Sequence, residues 1–229
     1  MQITQLMRYP VKSLAGEALT SVQVNLGGML FDRSYALVDR SEKLDGKKLT
    51  ARRESALLSF QALVTANDEV LVRTPAGESR RVDDPAFQAQ LRTALHRPFD
   101  IERSGANNFH DAHDLLVINA ASVRALAREW DAPVNPLRFR PNIIIDGDDV
   151  EPFVELQWAG NTLQAGSAAF EGVVPCERCV LTTIDPDTLV TSPDFLALIV
   201  RNHEARFGLY CRVREPGIVS VGDSWTICR

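Results

Sequence analysis

The 229-residue chain carries 25 Lys and Arg against 30 Asp and Glu, a formal net charge of −5, with 45% hydrophobic and 24% charged residues. That length supports one large domain or two small ones with a real core, and the acidic balance argues against a general nucleic-acid binder. No run approaches the roughly 20 consecutive apolar residues of a membrane helix. No basic region followed by an apolar core opens the chain, so no secretory signal is expected, and four cysteines are too sparse for a disulfide scaffold, which makes free thiols in the cytoplasm the expectation.

In chain order, Ile3 and Leu6, with Tyr9 and Val11 around Pro10, suggest a strand over 2–8, followed by a turn that carries Lys12 and Ser13. Alternating Leu19, Val22, Val24 and Leu26 predict a second strand, Gly27-Gly28 a turn, and Asp32–Asp39 a third strand ending in a polar loop over 41–48. The β pattern continues through 49–52 and 57–65, and 70–74 with 80–82 flank Pro75-Ala76-Gly77 as a hairpin. Short strands at this spacing predict a small barrel or sandwich.

The first helix is predicted over 85–95, with Asp84 as N-cap and Phe87, Leu91 and Leu95 on one face. Residues 100–115 form a polar stretch containing Asn107, Asn108, His110, Asp111, His113 and Asp114, a candidate functional loop. A strand at 115–118, a helix over 121–130 capped by Asn119, and a buried strand Ile143-Ile144-Ile145 follow. Two short strands around Gly160-Asn161, a helix over 193–206, and strands around 218–221 and 225–227 complete the prediction.

The stretch Gly172–Pro186 holds a C-x-x-C pair, Cys176 and Cys179, with Arg178 directly before the second thiol. Valines precede it, and Val180–Ile184 reads as strand, stopped by Asp185-Pro186. Three readings of the pair stand side by side. A structural zinc site needs four ligands, and neither Cys211, Cys228 nor the four histidines supply a second short-spaced pair. A thioredoxin-like redox pair needs a helix immediately after it. Two buried structural thiols need nothing further. Against the last reading stand Arg178 and Arg140, which would favour a thiolate at Cys179, a soft metal ligand. Cations also recur at strand ends and turns (Arg8, Lys12, Arg33, Arg52, Arg53, Arg138, Arg140), positions suited to a fixed anion site. No glycine-rich phosphate loop is present.

Six strings occur in one order: Y-P-V-K-S at 9–13, D-R-S-Y-A-L-V at 32–38, T-A-R at 50–52, F-R-P-N-I at 139–143, C-E-R-C-V-L-T-T-I-D-P at 176–186 and G-I-V-S-V-G-D at 217–223. Together they resemble the MOSC proteins, and within them the mitochondrial amidoxime-reducing component and its bacterial counterparts. The resemblance implies a mainly β (α+β) fold: an N-terminal β-barrel-like domain over 1–98, then a β-rich MOSC domain over 99–229 with a few peripheral helices, and molybdenum cofactor (molybdopterin) in a cleft between them. It implies Cys179 as the molybdenum ligand and Lys12, Ser13, Arg33, Arg140, Asn142 and Arg178 as cofactor-binding residues. Asp111 and His113 are implied near the reacting centre, with His113 and Asp114 as proton sources, although H-D-A-H-D departs from the family pattern.

Some bacterial relatives continue into a ferredoxin-like domain, whereas this sequence stops at Arg229. The resemblance therefore implies an external electron donor, a ferredoxin- or flavoprotein-type reductase. It also implies a small-molecule substrate, no nucleic acid, no membrane and no pyridoxal phosphate. Three functions follow as alternatives: a reductase of N-hydroxylated compounds, a cofactor or sulfur carrier without turnover, and a non-enzymatic β module.

Overall fold

The structure, a computed structural model, describes residues 1–105 and 108–228. Asn107 of the polar stretch and Arg229 lie outside the described residues. The fold is mainly β, and the chain divides into two compact units: Met1–Met7, Ala18–Leu30 and Ala112–Arg229 form one, Arg8–Glu17 and Phe31–Asp111 the other.

The first unit is built on an eight-stranded sheet. Its order is Thr226–Cys228, Thr162–Ala165, Ala168–Glu177, Arg206–Glu215, Leu115–Asn119, Ile143–Asp146, Gln2–Arg8 and Glu17–Leu19. Leu115–Asn119 and Ile143–Asp146 run parallel, which demands a crossover. The helix Ala120–Trp130 supplies it, started by the Asn119 side chain accepting from Ala121 N at 2.9 Å. Side chains of these central strands alternate between two cores. Leu115, Val117, Ile143, Ile145 and Leu209 join Trp158, Phe170 and Trp225 on one face. Leu116, Ile118, Ile144 and Phe207 join Phe139 and the apolar faces of Ala120–Trp130 and Pro193–His203 on the other. A strand covered on both faces must be apolar at every position, which is why Ile143-Ile144-Ile145 has no polar member.

The second unit contains the antiparallel pair Tyr35–Asp39 with Phe99–Arg103, and the meander Gln61–Val64, Val70–Arg73, Ser79–Arg81. The helix Pro85–Leu95 starts at Asp84, whose carboxylate accepts from Ala86 N at 2.9 Å, and it buries Phe87, Leu91 and Leu95.

The structure corrects several expected elements. Val180–Thr183 is a 3-10 turn, not a strand. Thr182 Oγ1 donates to Cys179 O at 2.8 Å and Thr183 Oγ1 to Val180 O at 2.7 Å, so the hydroxyls that look β-favouring instead bond back one turn. The polar stretch begins later than 100, because Phe99–Arg103 is a strand whose outward Asp100 and Glu102 are both held by Arg40 at 2.7 Å. Residues 49–52 are not a strand, and Ser55–Ser59 is a further 3-10 turn. The hairpin expected at Gly160-Asn161 turns instead at Gly166, where φ is +54° and an added Cβ would lie 2.2 Å from Ile218 O. The long strand Arg206–Glu215 had no predicted counterpart.

One buried acid in the first unit gives a pH prediction. Glu155 is fully buried and its Oε2 accepts from Ser122 Oγ at 2.9 Å. Burial raises its pKa above the ordinary 4.5, with the bond from Ser122 opposing. A raised carboxyl contributes stability that is complete below 4.5 and is lost as pH rises through the folded-state value. Glu155→Gln keeps the acceptor for Ser122 and removes the charge. Relative to wild type it should gain stability between acid and neutral pH, read by urea unfolding at several pH values. A pH-independent difference would refute the buried-acid reading.

Candidate cofactor site

In the first unit, the strand Ala168–Glu177 carries the paired thiols to its end. Its ladder with Arg206–Glu215 runs to Glu177 opposite Arg206, and Arg178 N donates to Ala205 O at 2.7 Å. The two thiols then diverge. Cys176 is 1% exposed in the core with Phe139 and Phe207. Cys179 is half-buried and extended (φ −123°, ψ 178°), leading into the 3-10 turn, with its carbonyl accepting from Thr182 N at 3.0 Å.

Arg178 reaches Cys176, not Cys179. Its Nη1 donates to Cys176 Sγ at 2.8 Å and its Nη2 to Phe139 O at 2.9 Å, and the guanidinium lies 5.2 Å from the Phe139 ring centroid. Its Nε is buried without a hydrogen-bond partner among the described residues.

Arg138 fixes the other end of the motif. Nη1 donates to Thr183 O at 3.2 Å and Nη2 to Asp185 Oδ2 at 2.8 Å. Burial works against the Asp185 charge, but backbone bonds from Thr188 and Asp187 and the Arg138 charge hold its pKa below the ordinary range. Arg140 ends the turn Pro136–Phe139 in the left-handed region (φ 55°), directly before Pro141. That conformation is costly for a side-chain-bearing residue, by about 1–3 kcal/mol, and persists only where the surroundings enforce it.

The other implied residues of this unit occupy distinct surroundings. Asn142 is buried, and its side chain accepts from Leu116 N and donates to Met7 O, both at 3.2 Å. The His113 ring packs against Tyr210, centroids 5.4 Å apart. Asp114 Oδ2 accepts from Val213 N at 3.0 Å, which ties it to the strand Arg206–Glu215. Cys211 is fully buried and its thiol pKa is driven up, first by burial and then by the Asp114 charge.

In the second unit, Lys12, Ser13, Arg33 and Asp111 come together around the turn after Pro10. Ser13 (φ 72°) and Arg33 (φ 49°) are both left-handed. Asp32 is fully buried, accepts from Tyr9 N at 2.7 Å and pairs with Arg33, while Arg33 N donates to Tyr9 O at 2.8 Å and its guanidinium stacks 4.5 Å from the Tyr9 centroid. Lys12 Nζ donates to Phe109 O at 2.8 Å and to Asp111 Oδ1 at 2.5 Å. Arg52 Nη2 takes the other oxygen, Asp111 Oδ2, at 2.7 Å. Lys48 Nζ lies 5.0 Å from the Phe109 ring centroid.

Burial lowers the Lys12 pKa; Asp111 opposes this, while Lys48 and Arg33 add to it. For Asp111, burial disfavours the charge, but the bond and charge of Lys12, then Arg52 and Arg33, hold it ionised below the usual carboxylate range. Lys48 escaped the sequence reading because it sits among loop charges with no distinguishing spacing. Arg52 was visible only as one more cation and as the end of T-A-R.

No group of three or more His, Cys, Asp or Glu side chains among the described residues is arranged to hold a metal ion. An organic dithiolene cofactor bound through the Cys179 thiol would bring the metal's remaining ligands with it. The donor set of the first unit fits such a group: one half-buried thiol and an unsatisfied guanidinium nitrogen on the neighbouring residue.

Two family models match. The MOSC domain matches residues 89–226, and the MOSC N-terminal beta barrel domain matches residues 1–119. The chain belongs to the MOSC family. Among curated relatives, mitochondrial amidoxime-reducing component 1 of Xenopus laevis is 27% identical, aligned over 96% of this chain and 80% of its own length. The human protein of the same name is 25% identical, with 96% and 81% covered. Molybdenum cofactor sulfurase of Drosophila grimshawi is 28% identical over 100% of this MOSC chain, which spans 35% of that longer protein. Among solved structures, the YuaD protein of Bacillus subtilis shares the fold, with a TM-score of 0.54, 14% identity and coverage of 98% of this chain and 93% of that one.

Proposed function

We propose that this MOSC protein holds the molybdenum cofactor through the Cys179 thiolate and reduces N-hydroxylated compounds (hydroxylamines, amidoximes, N-hydroxylated bases) to the amine. The observation that carries the reading is the inequality of the two thiols: Cys176 is sealed in the core on Arg178, whereas Cys179 stands half-buried where the strand ends. Arg140 and Arg178 would support the cofactor from the same unit, and the family resemblance adds Lys12, Ser13 and Arg33, two cations and a hydroxyl, to the residues that bind it. Bound there, the cofactor supplies the two electrons that, with two protons, convert N–OH to N–H and water.

This chain's own residues would do the rest. Arg138 grips the carbonyl of Thr183 and so fixes the turn that Cys179 opens. Asp111, ionised between Lys12 and Arg52, orders those cations and is not suited to give up a proton. His113, against Tyr210, is the better proton source. Electrons come from a separate ferredoxin- or flavoprotein-type reductase. All four cysteines are free, which suits a reducing compartment, and we assign the cytoplasm. No helix among the described residues is long and apolar enough to cross a membrane.

The similarity to a molybdenum cofactor sulfurase supports a second reading, a carrier of cofactor or of sulfur as a Cys179 persulfide. One experiment separates them. Protein purified from cofactor-competent cells is analysed for molybdenum and pterin, then assayed with a chemical reductant and an amidoxime. Bound molybdenum with amine formation supports the reductase; bound molybdenum without turnover supports the carrier; neither molybdenum nor pterin rejects both cofactor readings.

A further inference from the structure

We propose that Thr182 is a positioning residue for the candidate metal ligand: its hydroxyl and its backbone N–H together fix the carbonyl of Cys179 and so aim the thiol. The inference rests on the reading of Cys179 as the ligand, but its first test is made on cofactor-free protein and needs no molybdenum.

Thr182 is fully buried in the 3-10 turn that follows Cys179. Its N donates to Cys179 O at 3.0 Å, and its Oγ1 donates to the same oxygen at 2.8 Å. A carbonyl with one donor can swing through a broad range of angles, whereas two donors on one stiff, β-branched residue fix its direction. The chain before Cys179 is held as well, because Arg178 N donates to Ala205 O at 2.7 Å. Cys179 thus lies between two pinned peptide groups, in an extended conformation (φ −123°, ψ 178°). Its bonds among the described residues run through its backbone, so the backbone sets where the thiol points.

The turn that carries Thr182 is anchored from outside. Thr183 O accepts from Ser192 N at 2.8 Å and from Arg138 Nη1 at 3.2 Å, and Asp185 Oδ2 accepts from Arg138 Nη2 at 2.8 Å. Thr182 passes that fixed frame on to a half-buried thiol. A buried hydroxyl is costly unless it is bonded, and valine would fill the same space without that demand. What the hydroxyl adds is a second hold on the Cys179 carbonyl. A metal ligand gains from such a hold, because freedom left in the ligand must be removed when the metal binds.

Thr183 supplies a matched comparison. It is buried in the same turn, and its Oγ1 donates to Val180 O at 2.7 Å, one peptide further from the thiol. Thr182→Val and Thr183→Val each delete one buried hydroxyl and should lower the urea midpoint alike. Cofactor-free chains are labelled with iodoacetamide at one fixed pH, and each cysteine is followed by peptide mass. Thr182→Val should label Cys179 about fivefold faster, the change that loss of one net hydrogen bond gives, while Thr183→Val stays within about twofold of wild type. Exposed Cys228 gives the reagent's reference rate, and buried Cys176 and Cys211 report general opening. Thr182→Ser keeps the hydroxyl and should label as wild type does.

Equal labelling of Cys179 in the two valine variants overturns the proposal. So does faster labelling in Thr182→Ser, or an acceleration shared by Cys176 and Cys211, which would mean that the whole fold has loosened. If Thr182→Val does not fold, Thr182→Ser decides alone: labelling at the wild-type rate supports the hydroxyl and faster labelling overturns it. In protein from cofactor-competent cells, Thr182→Val should retain about tenfold less molybdenum than Thr183→Val, and equal retention overturns the link to the metal. A protein that never carries molybdenum defeats the proposed function, yet the labelling of the cofactor-free chain still decides whether Thr182 positions Cys179.

Discussion

Cys179→Ser protein is expected to fold as the wild type does and to lose molybdenum and amidoxime reduction by about a hundredfold or more, since even supporting residues around a metal ligand change affinity by about 10–100-fold. Serine offers a hard oxygen of high pKa in place of a soft thiolate, and a soft ligand is what a molybdenum–sulfur centre calls for. Cys179 is half-buried, and among the described residues it is its carbonyl, not its side chain, that bonds within the turn. Folding should therefore survive. Cys176 predicts the opposite pattern. It is buried against Phe139 and Phe207, and its sulfur accepts from Arg178 Nη1. Cys176→Ala leaves that buried donor without its partner, at a cost of about 1–3 kcal/mol, while Cys176→Ser retains an acceptor and should recover part of the loss. Molybdenum per folded molecule should stay near wild type in both. Circular dichroism, denaturant midpoints and elemental analysis on the three variants read the two effects separately. Equal molybdenum loss at both positions would remove the ligand assignment.

The same stretch shows how far a sequence carries. That a strand leads into the pair is legible from Val173 and Val174; that the strand ends there is not, because Val180–Ile184 reads as a second strand. Which thiol is sealed is not legible either, because it depends on Arg178 turning back onto Phe139 O, a contact between distant segments. The 3-10 turn at Val180–Thr183 was hidden for a different reason. Valine and threonine favour strands as a class, but here the threonine hydroxyls and the Arg138 guanidinium supply the bonds that a ladder would otherwise make. The caps at Asp84 and Asn119 were readable because capping is local. The cationic turn was half readable. Its members could be enumerated, but not that Lys12 and Arg52 meet on one carboxylate while Arg33 is committed to Asp32.

Asn142→Ala should destabilise the cofactor-free protein by about 3 kcal/mol, and this is a test of what that residue is for. The family resemblance assigns Asn142 to the cofactor. Its bonds in the fold point elsewhere. Its backbone N donates to Leu116 O and its carbonyl accepts from Met7 N, both at 2.8 Å. Its side chain repeats both links, accepting from Leu116 N and donating to Met7 O at 3.2 Å. One residue thus clamps the two strands that flank Ile143–Asp146 in the sheet, at a point 1% exposed. Alanine leaves a buried N–H and a buried carbonyl each short of a partner, at about 1–3 kcal/mol apiece. Against a total stability of about 5–15 kcal/mol, that is a large fraction, and it corresponds to a fall in Tm of about 10 °C for a chain of this size. Asn142→Asp should do no better, since it keeps the acceptor but loses the donor and adds a buried charge. Thermal and urea unfolding of protein made without cofactor decide the matter. If cofactor-free Asn142→Ala is as stable as wild type while the loaded protein loses molybdenum, the side chain acts on the cofactor and the clamp is wrong. If the cofactor-free protein is already weakened to this extent, any loss of molybdenum in the variant follows from a loosened sheet, and the assignment of Asn142 to cofactor binding loses its support.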